Sequence, residues 1–332
     1  AWSRRAFGSR IGAIAALLLA VSPVLVHYAQ ELNQYAAMVL LAVAVIVAYE
    51  RLLRRAESWD LVLLALVSML ALITHYGMAF LLAAITLHLS ALVRRGGGPI
   101  SRRELAWFVT LLAAATALLW WLGLGDGMAV PHLDRRLGGT HLEKELDYIT
   151  DVGWREGLVF FTVPFSGGPA LHVARALSLA AAVGAIILWR SGEAGRRTVG
   201  LYFFLPLALT YLASLMGWYP LGFRYGLFAV PAFFVAVAAA IDAAWQQRRA
   251  AGAALTAAAV AGLLAFSTHT DEWNDNIAVP REDLRRVIAQ VEGRVRPDDA
   301  VYVYYGAAPA FAYYGGGLGA VAIEGRHLGD VA

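Results

Sequence analysis

The chain has 332 residues, 60% of them hydrophobic and 15% charged, and a mean hydropathy of +0.60. A soluble domain is about 45–50% apolar and about 25% charged, so this composition excludes an ordinary soluble protein and points to a polytopic membrane protein. The absence of cysteine excludes disulfides, thiolate catalysis and Cys-ligated zinc, and the net charge of +3 is spread over many short connections, so no nucleic acid is expected as a partner.

The chain starts Ala1-Trp2-Ser3-Arg4-Arg5 without Met or a signal-peptide pattern, which reads as an internal fragment with sequence missing upstream. Apolar stretches near the roughly 20 residues needed to span hydrocarbon fall at 6–26, 35–50, 59–75, 77–93, 105–122, 171–189, 199–217, 226–244 and 250–267. Orientation follows from where arginine collects. One set of connections carries Arg4, Arg5 and Arg10, then Arg51, Arg54 and Arg55, then Arg94, Arg95, Arg102 and Arg103, then Arg190, Arg196 and Arg197, then Arg248 and Arg249. The alternate short connections, near 27–34 and 74–76, carry none, and the one near 218–225 carries Arg224 alone. The arginine-rich set is therefore expected in the cytoplasm and the other set outside.

Two outward segments are longer. The loop 123–170 holds Pro131, His132, Asp134, His141, Glu143, Glu145 and Asp147 without a recognisable metal spacing; loops of this length usually carry function. The expected division is a transmembrane domain, 1–267, and an extracytoplasmic tail, 268–332, cut short at its end. In the tail, Leu284, Val287, Ile288 and Val291 recur at helical spacing, and strand-like runs follow at 301–305 and 321–323. Gly315-Gly316-Gly317-Leu318-Gly319 lacks the strand-to-helix setting of a dinucleotide loop. No internal repeat is evident, which weakens transporter readings built on inverted halves.

The outward turns carry the candidate site. The first is His27-Tyr28-Ala29-Gln30-Glu31, between a span running into Pro23 and another leaving from Tyr35. Glu31 has no Lys or Arg in its turn, and an ionisable group at membrane depth usually marks a substrate or ion path. The second turn is Thr74-His75-Tyr76, and the third is Trp218-Tyr219-Pro220-Leu221-Gly222-Phe223-Arg224-Tyr225. A carboxylate, an imidazole and a guanidinium on one face suit a phosphate-bearing amphiphile, since the planar fork of Arg pairs bidentately with phosphate. Each residue also has a plainer reading. Glu31 can cap the helix that follows it, the tyrosines can form an interfacial belt, and Arg224 can reach headgroups. Asp242, near the inner end of its span, is expected to pair with nearby cations.

At these residues the chain resembles the GT-C glycosyltransferases of the protein-mannosyltransferase and aminoarabinose-transferase type, glycosyltransferase family 39-like. The family's Pro-x(4)-Tyr-Ser-Gln-Glu-Ala-Arg-x-Tyr-like segment is matched by Pro23 and Tyr28-Ala29-Gln30-Glu31-Leu32-Asn33-Gln34-Tyr35. Its Thr-His-Tyr element is matched by Thr74-His75-Tyr76, and its late Arg-Tyr by Arg224-Tyr225 ahead of Pro231. Ala29 replaces the usual Ser, and Asn33 stands where Arg is common, which shifts phosphate contact toward Arg224.

The resemblance implies an all-α, GT-C-like polytopic membrane protein of about nine spans with a small α/β extracytoplasmic piece, in a bacterial plasma membrane. It implies transfer of a mannose-like or other sugar from a polyprenyl-phosphate donor to a lipid, glycan or protein acceptor on the outer face. Glu31 matches the second acid of that site, as catalytic residue or ligand of a divalent cation, with the principal acid expected upstream of this chain. Tyr28, Gln30, Tyr35, His75, Tyr76, Arg224 and Tyr225 are the expected substrate-binding residues. The rival is a polytopic transporter or lipid flippase that uses Glu31 as a coupling site, with His88 as its best intramembrane partner. A third reading is a non-catalytic scaffold.

Overall fold

The computed structural model describes residues 2–30, 34–119, 121, 169–216, 219, 223–269, 284–296, 299–304, 311, 313 and 321–325. The chain forms two units, Ala1–Ser267 and Thr268–Ala332. The acids and histidines of the long loop, and the run Gly315–Gly319, lie outside the described residues.

The first unit is helical. It opens with α1 (Trp2–Phe7), α2 (Ser9–Ala20) and α3 (Pro23–Gln30). The apolar pattern predicts one uninterrupted span over 6–26, but two local breaks divide it. Gly8 takes φ 95°, a conformation open to glycine and costly for other residues. Pro23 disfavours helix at Ser22 and then starts a new helix at the position where its missing N–H is not needed. The connection expected from residue 27 is thus helical as far as Gln30.

Next come α4 (Tyr35–Arg55), α5 (Ser58–Thr74), α6 (Met78–Arg94) and α7 (Arg102–Leu119). Helices α4 and α5 pack side by side and are joined through Ala56, which takes φ 53° and donates its N–H to Leu52 O at 2.9 Å. The α7 start is a reciprocal cap. Ser101 N donates to Glu104 Oε2 at 2.8 Å, and Glu104 N donates to Ser101 Oγ at 3.2 Å. The Ser101 backbone bond, followed by its hydroxyl, holds the Glu104 carboxyl below its ordinary range. Its folded value being depressed, Glu104 stabilises α7 above its unfolded pKa, and that contribution is lost as pH falls through the folded value. Ser101→Ala should cost about 1 kcal/mol at neutral pH and flatten only the part of the acid limb carried by the hydroxyl in a thermal-midpoint-versus-pH curve, because the larger backbone bond remains. An acid limb as steep as the parent's would remove the Ser101 hydroxyl as one of its causes.

After the long loop come α8 (Pro169–Arg190) and α9 (Glu193–Val199). A π-helical turn, Gly200–Phe204, leads into α10 (Leu205–Leu215), so the stretch 199–217 expected as one even span carries a widened turn. A 3-10 segment, Phe223–Ala229, feeds α11 (Val230–Gln247), and α12 (Arg249–His269) closes the unit.

Helix α11 is buried from Val230 through Ala239 on every face, as expected of a helix apolar all round at the centre of a bundle. It packs most extensively against α8. At their crossing a Cβ added to Gly184 would run into the carbonyl of Ala236, so only a residue without a side chain allows this approach, the small-residue packing typical of membrane helices. Among the described residues, Tyr35–Arg55, His172–Arg190 and Gly226–Gln247 are long and apolar enough to cross a membrane. The 17-residue helices α5 and α6 rise about 25 Å, a little short of the roughly 30 Å hydrocarbon core. The chain is an all-α polytopic membrane protein in this unit.

Ion pairs staple the arginine-rich ends of the helices. Arg10 Nη1 meets Asp242 Oδ1 at 3.0 Å and the guanidinium carbon lies 5.6 Å from the Trp245 ring centroid, while Gln246 donates to Asp242 Oδ2 at 2.7 Å. Asp242 therefore has the cationic partner its position calls for. Arg51 pairs with the fully buried Asp60.

In the second unit, α13 (Leu284–Glu292) precedes β1 (Ala300–Tyr304) and β2 (Val321–Gly325). The strands pair in parallel, Tyr302 opposite Ile323.

Candidate functional site

The three candidate segments meet through their aromatic side chains. Tyr28, in the last turn of α3, and Tyr35, the first residue of α4, have ring centroids 4.9 Å apart. Tyr35 lies 5.4 Å from His75, the residue capping α5. His75 stacks on Tyr76 at 4.9 Å with an interplanar angle of 11°. Tyr76 meets the edge of Tyr219 at 5.3 Å, and Phe80 of α6 meets Tyr219 at 4.7 Å. Tyr28, Tyr35, His75 and Tyr219 are all buried. Aromatic pairs in such tilted and edge-on arrangements contribute about 0.5–1.5 kcal/mol each beyond area burial. The run is therefore more cohesive than a belt of separate interfacial tyrosines.

Backbone geometry sets the middle of this run. The α5 helix ends at Thr74, and His75 is extended, with φ −158° and ψ 122°. Its Nδ1 accepts the Gly77 N–H at 3.0 Å, which fixes the ring's rotation. Glycine at 77 lets both rings sit where they do, because an added Cβ would strike the Tyr219 hydroxyl and come within 2.9 Å of His75 Nδ1. Gly77→Ala should displace one of the two rings and cost about 1–3 kcal/mol as overpacking. The measurement is the thermal midpoint of the purified protein, and an unchanged midpoint would show that Tyr219 gives way freely.

Of the sequence-predicted residues, the structure brings together Tyr28, Tyr35, His75 and Tyr76. Gln30 ends α3. Arg224 and Tyr225 belong to the 3-10 segment Phe223–Ala229, which packs against α4 and α10. Glu31 lies outside the described residues; in sequence it falls between Tyr28 and Tyr35, whose rings touch. Among the described residues no three His, Cys, Asp or Glu side chains converge on a metal position.

Sequence reasoning missed a second polar cluster, at the arginine-rich ends of the helices. Glu50 of α4 is buried, and its Oε1 accepts from Tyr202 Oη at 2.8 Å and from Arg197 Nε at 3.4 Å. Arg197 also meets Glu193 at 3.3 Å. Tyr202 reaches Glu50 from the π-helical turn, and such turns recur at specialised positions in helices. His88, the intramembrane group on which the transport reading leans, shares a 2.6 Å hydrogen bond between its Nδ1 and Tyr49 Oη. The signal available in the sequence was the acid itself: Glu50 closes an otherwise apolar run just before Arg51.

No curated protein matches the chain. Residues 1–121 carry α1 to α7 and two of the three site segments, and they match the family described as dolichyl-phosphate-mannose-protein mannosyltransferase, a family of membrane glycosyltransferases and the one whose motifs the chain resembles.

Proposed function

We propose that the protein transfers a sugar from a polyprenyl-phosphate donor to an acceptor hydroxyl at the membrane face bearing Tyr28, Tyr35, His75, Tyr76 and Arg224. The observation that carries this reading is the continuous aromatic run from Tyr28 to Tyr219, which draws the three motif segments into one place. Aromatic faces suit the apolar faces of a sugar ring, and a guanidinium suits the donor's phosphate. In the reaction the acceptor oxygen attacks the anomeric carbon as the bond from that carbon to the phosphate oxygen breaks. Configuration inverts, the acceptor's proton passes to a carboxylate, and polyprenyl phosphate leaves.

Arg224 holds the phosphate, where negative charge grows as the bond breaks, so its stabilisation increases toward the transition state. Glu31 orients donor or acceptor, directly or through a divalent cation. His75 and Tyr76 form one wall of the sugar pocket, and Tyr28, Gln30, Tyr35 and Tyr225 complete it. The long loop and the α/β unit select the acceptor. The test is a transfer assay on the reconstituted protein with a panel of polyprenyl-phosphate sugars, read as release of polyprenyl phosphate together with glycosylated acceptor. Failure with every donor, alongside proton-coupled uptake, would overturn the reading in favour of transport.

A further inference from the structure

A cavity of about 520 Å³ lies along α8 at its arginine-rich end, lined by Ala185, Ile186, Trp189, Val199 and Phe204, with Arg190 also on its wall. Its size falls within the about 300–1,000 Å³ of specific small-molecule sites, but its walls are almost wholly apolar. Ile186, Trp189 and Phe204 are exposed, so the groove opens sideways, toward what in a membrane is hydrocarbon. The π-helical turn Gly200–Phe204 supplies one wall and α8 the other.

The charge at one end of the groove is unbalanced. Arg190 ends α8, and Arg196 Nε donates to the carbonyl of Trp189, itself a lining residue, at 3.1 Å. Glu193 is the one acid between residues 169 and 204, and it is engaged by Arg197, which also holds Glu50. Among the described residues Arg190 and Arg196 have no carboxylate partner, and both are exposed. Trp189, between the apolar groove and these cations, is the residue type that anchors at the boundary of hydrocarbon and headgroups.

We propose that this groove is a binding site for an anionic two-chain phospholipid of the leaflet on the arginine-rich side. An acyl chain lies along Ala185, Ile186, Val199 and Phe204, and the headgroup phosphate pairs with Arg190 and Arg196. The site is separate from the aromatic run and does not depend on the transfer chemistry. Because the π-helical turn also carries Tyr202 to Glu50, a lipid seated here braces the segment that closes the buried polar cluster.

Native mass spectrometry of the full chain released from detergent micelles, titrated with phosphatidylglycerol, phosphatidylethanolamine and polyprenyl phosphate, tests the proposal. Phosphatidylglycerol should bind in preference to the zwitterionic lipid. The double variant Arg190→Gln/Arg196→Gln should weaken it about thirtyfold, from about fivefold per arginine near an anionic surface. Ala185→Trp, which fills the groove and leaves both arginines in place, should weaken binding of both phospholipids. Arg175→Gln, elsewhere on α8, should leave it unaltered, and the thermal midpoint of each variant shows whether the fold is retained. Equal binding of both phospholipids, or full retention in the double variant, would overturn the proposal. So would displacement by inorganic phosphate, which would make this a soluble-anion site, or stronger binding of polyprenyl phosphate, which would give the groove to the donor.

Discussion

Arg224→Ala should reduce sugar transfer roughly thirtyfold or more while the protein still inserts and melts normally. Removing one partner of a desolvated, hydrogen-bonded charge pair costs about 2–5 kcal/mol, and each 1.4 kcal/mol is about tenfold. The loss should fall mainly on kcat, because the phosphate gains charge as the sugar departs. Arg224→Lys keeps the charge and loses the planar fork, so it should recover part of the rate. The measurement is a kcat and KM pair for each variant with one polyprenyl-phosphate sugar. Undiminished turnover in Arg224→Ala would remove this residue from the mechanism and return it to the simpler role of reaching headgroups.

Arg197→Ala should destabilise the helical unit by about 3–5 kcal/mol, the usual cost of stranding one member of a buried ion pair. Glu50 is 4% exposed, and Arg197 sits 3.4 Å from its Oε1. That is longer than an ordinary hydrogen bond, so the charge rather than the bond carries the interaction. With Arg197 gone, the Tyr202 hydroxyl at 2.8 Å would face the carboxylate as a neutral donor. The double variant Glu50→Leu/Arg197→Met removes both charges and should recover most of the loss. Thermal midpoints of the parent, Glu50→Leu, Arg197→Met and the double variant form the cycle that isolates the pair. A midpoint for Arg197→Ala within a degree of the parent's would show that Glu50 is satisfied without it.

The helices were legible because hydrocarbon demands long apolar runs and arginine punctuates them. Helix α11 shows this best: from Val230 through Ala239 it is apolar on every side in the sequence and buried on every side in the structure. Breaks inside apolar runs were less legible. The divisions at Gly8 and at Ser22-Pro23 depend on backbone conformation that hydropathy does not register, and the π-helical turn at Gly200–Phe204 has no periodic signature at all. The site was legible as three polar-aromatic interruptions at the ends of spans. Their contact was not, because Tyr219 reaches Tyr76 and Phe80 from a segment more than a hundred residues later in the chain. Glu50 was hidden by its neighbours: beside Arg51, Arg54 and Arg55 it reads as part of a solvated helix end. In the structure its side chain turns inward to Tyr202 and Arg197.

The hydrogen bond from the Gly77 N–H to His75 Nδ1 narrows what this imidazole can do. A backbone N–H only donates, so Nδ1 has to present its lone pair, and in the neutral ring the proton sits on Nε2. The nitrogen on the other side of the ring is then a hydrogen donor. In that state it can neither pull a proton from an acceptor hydroxyl nor coordinate a cation. Under the proposed transfer reaction, His75 would then act as a hydrogen-bond donor rather than a base, and accepting the proton would be left to a carboxylate.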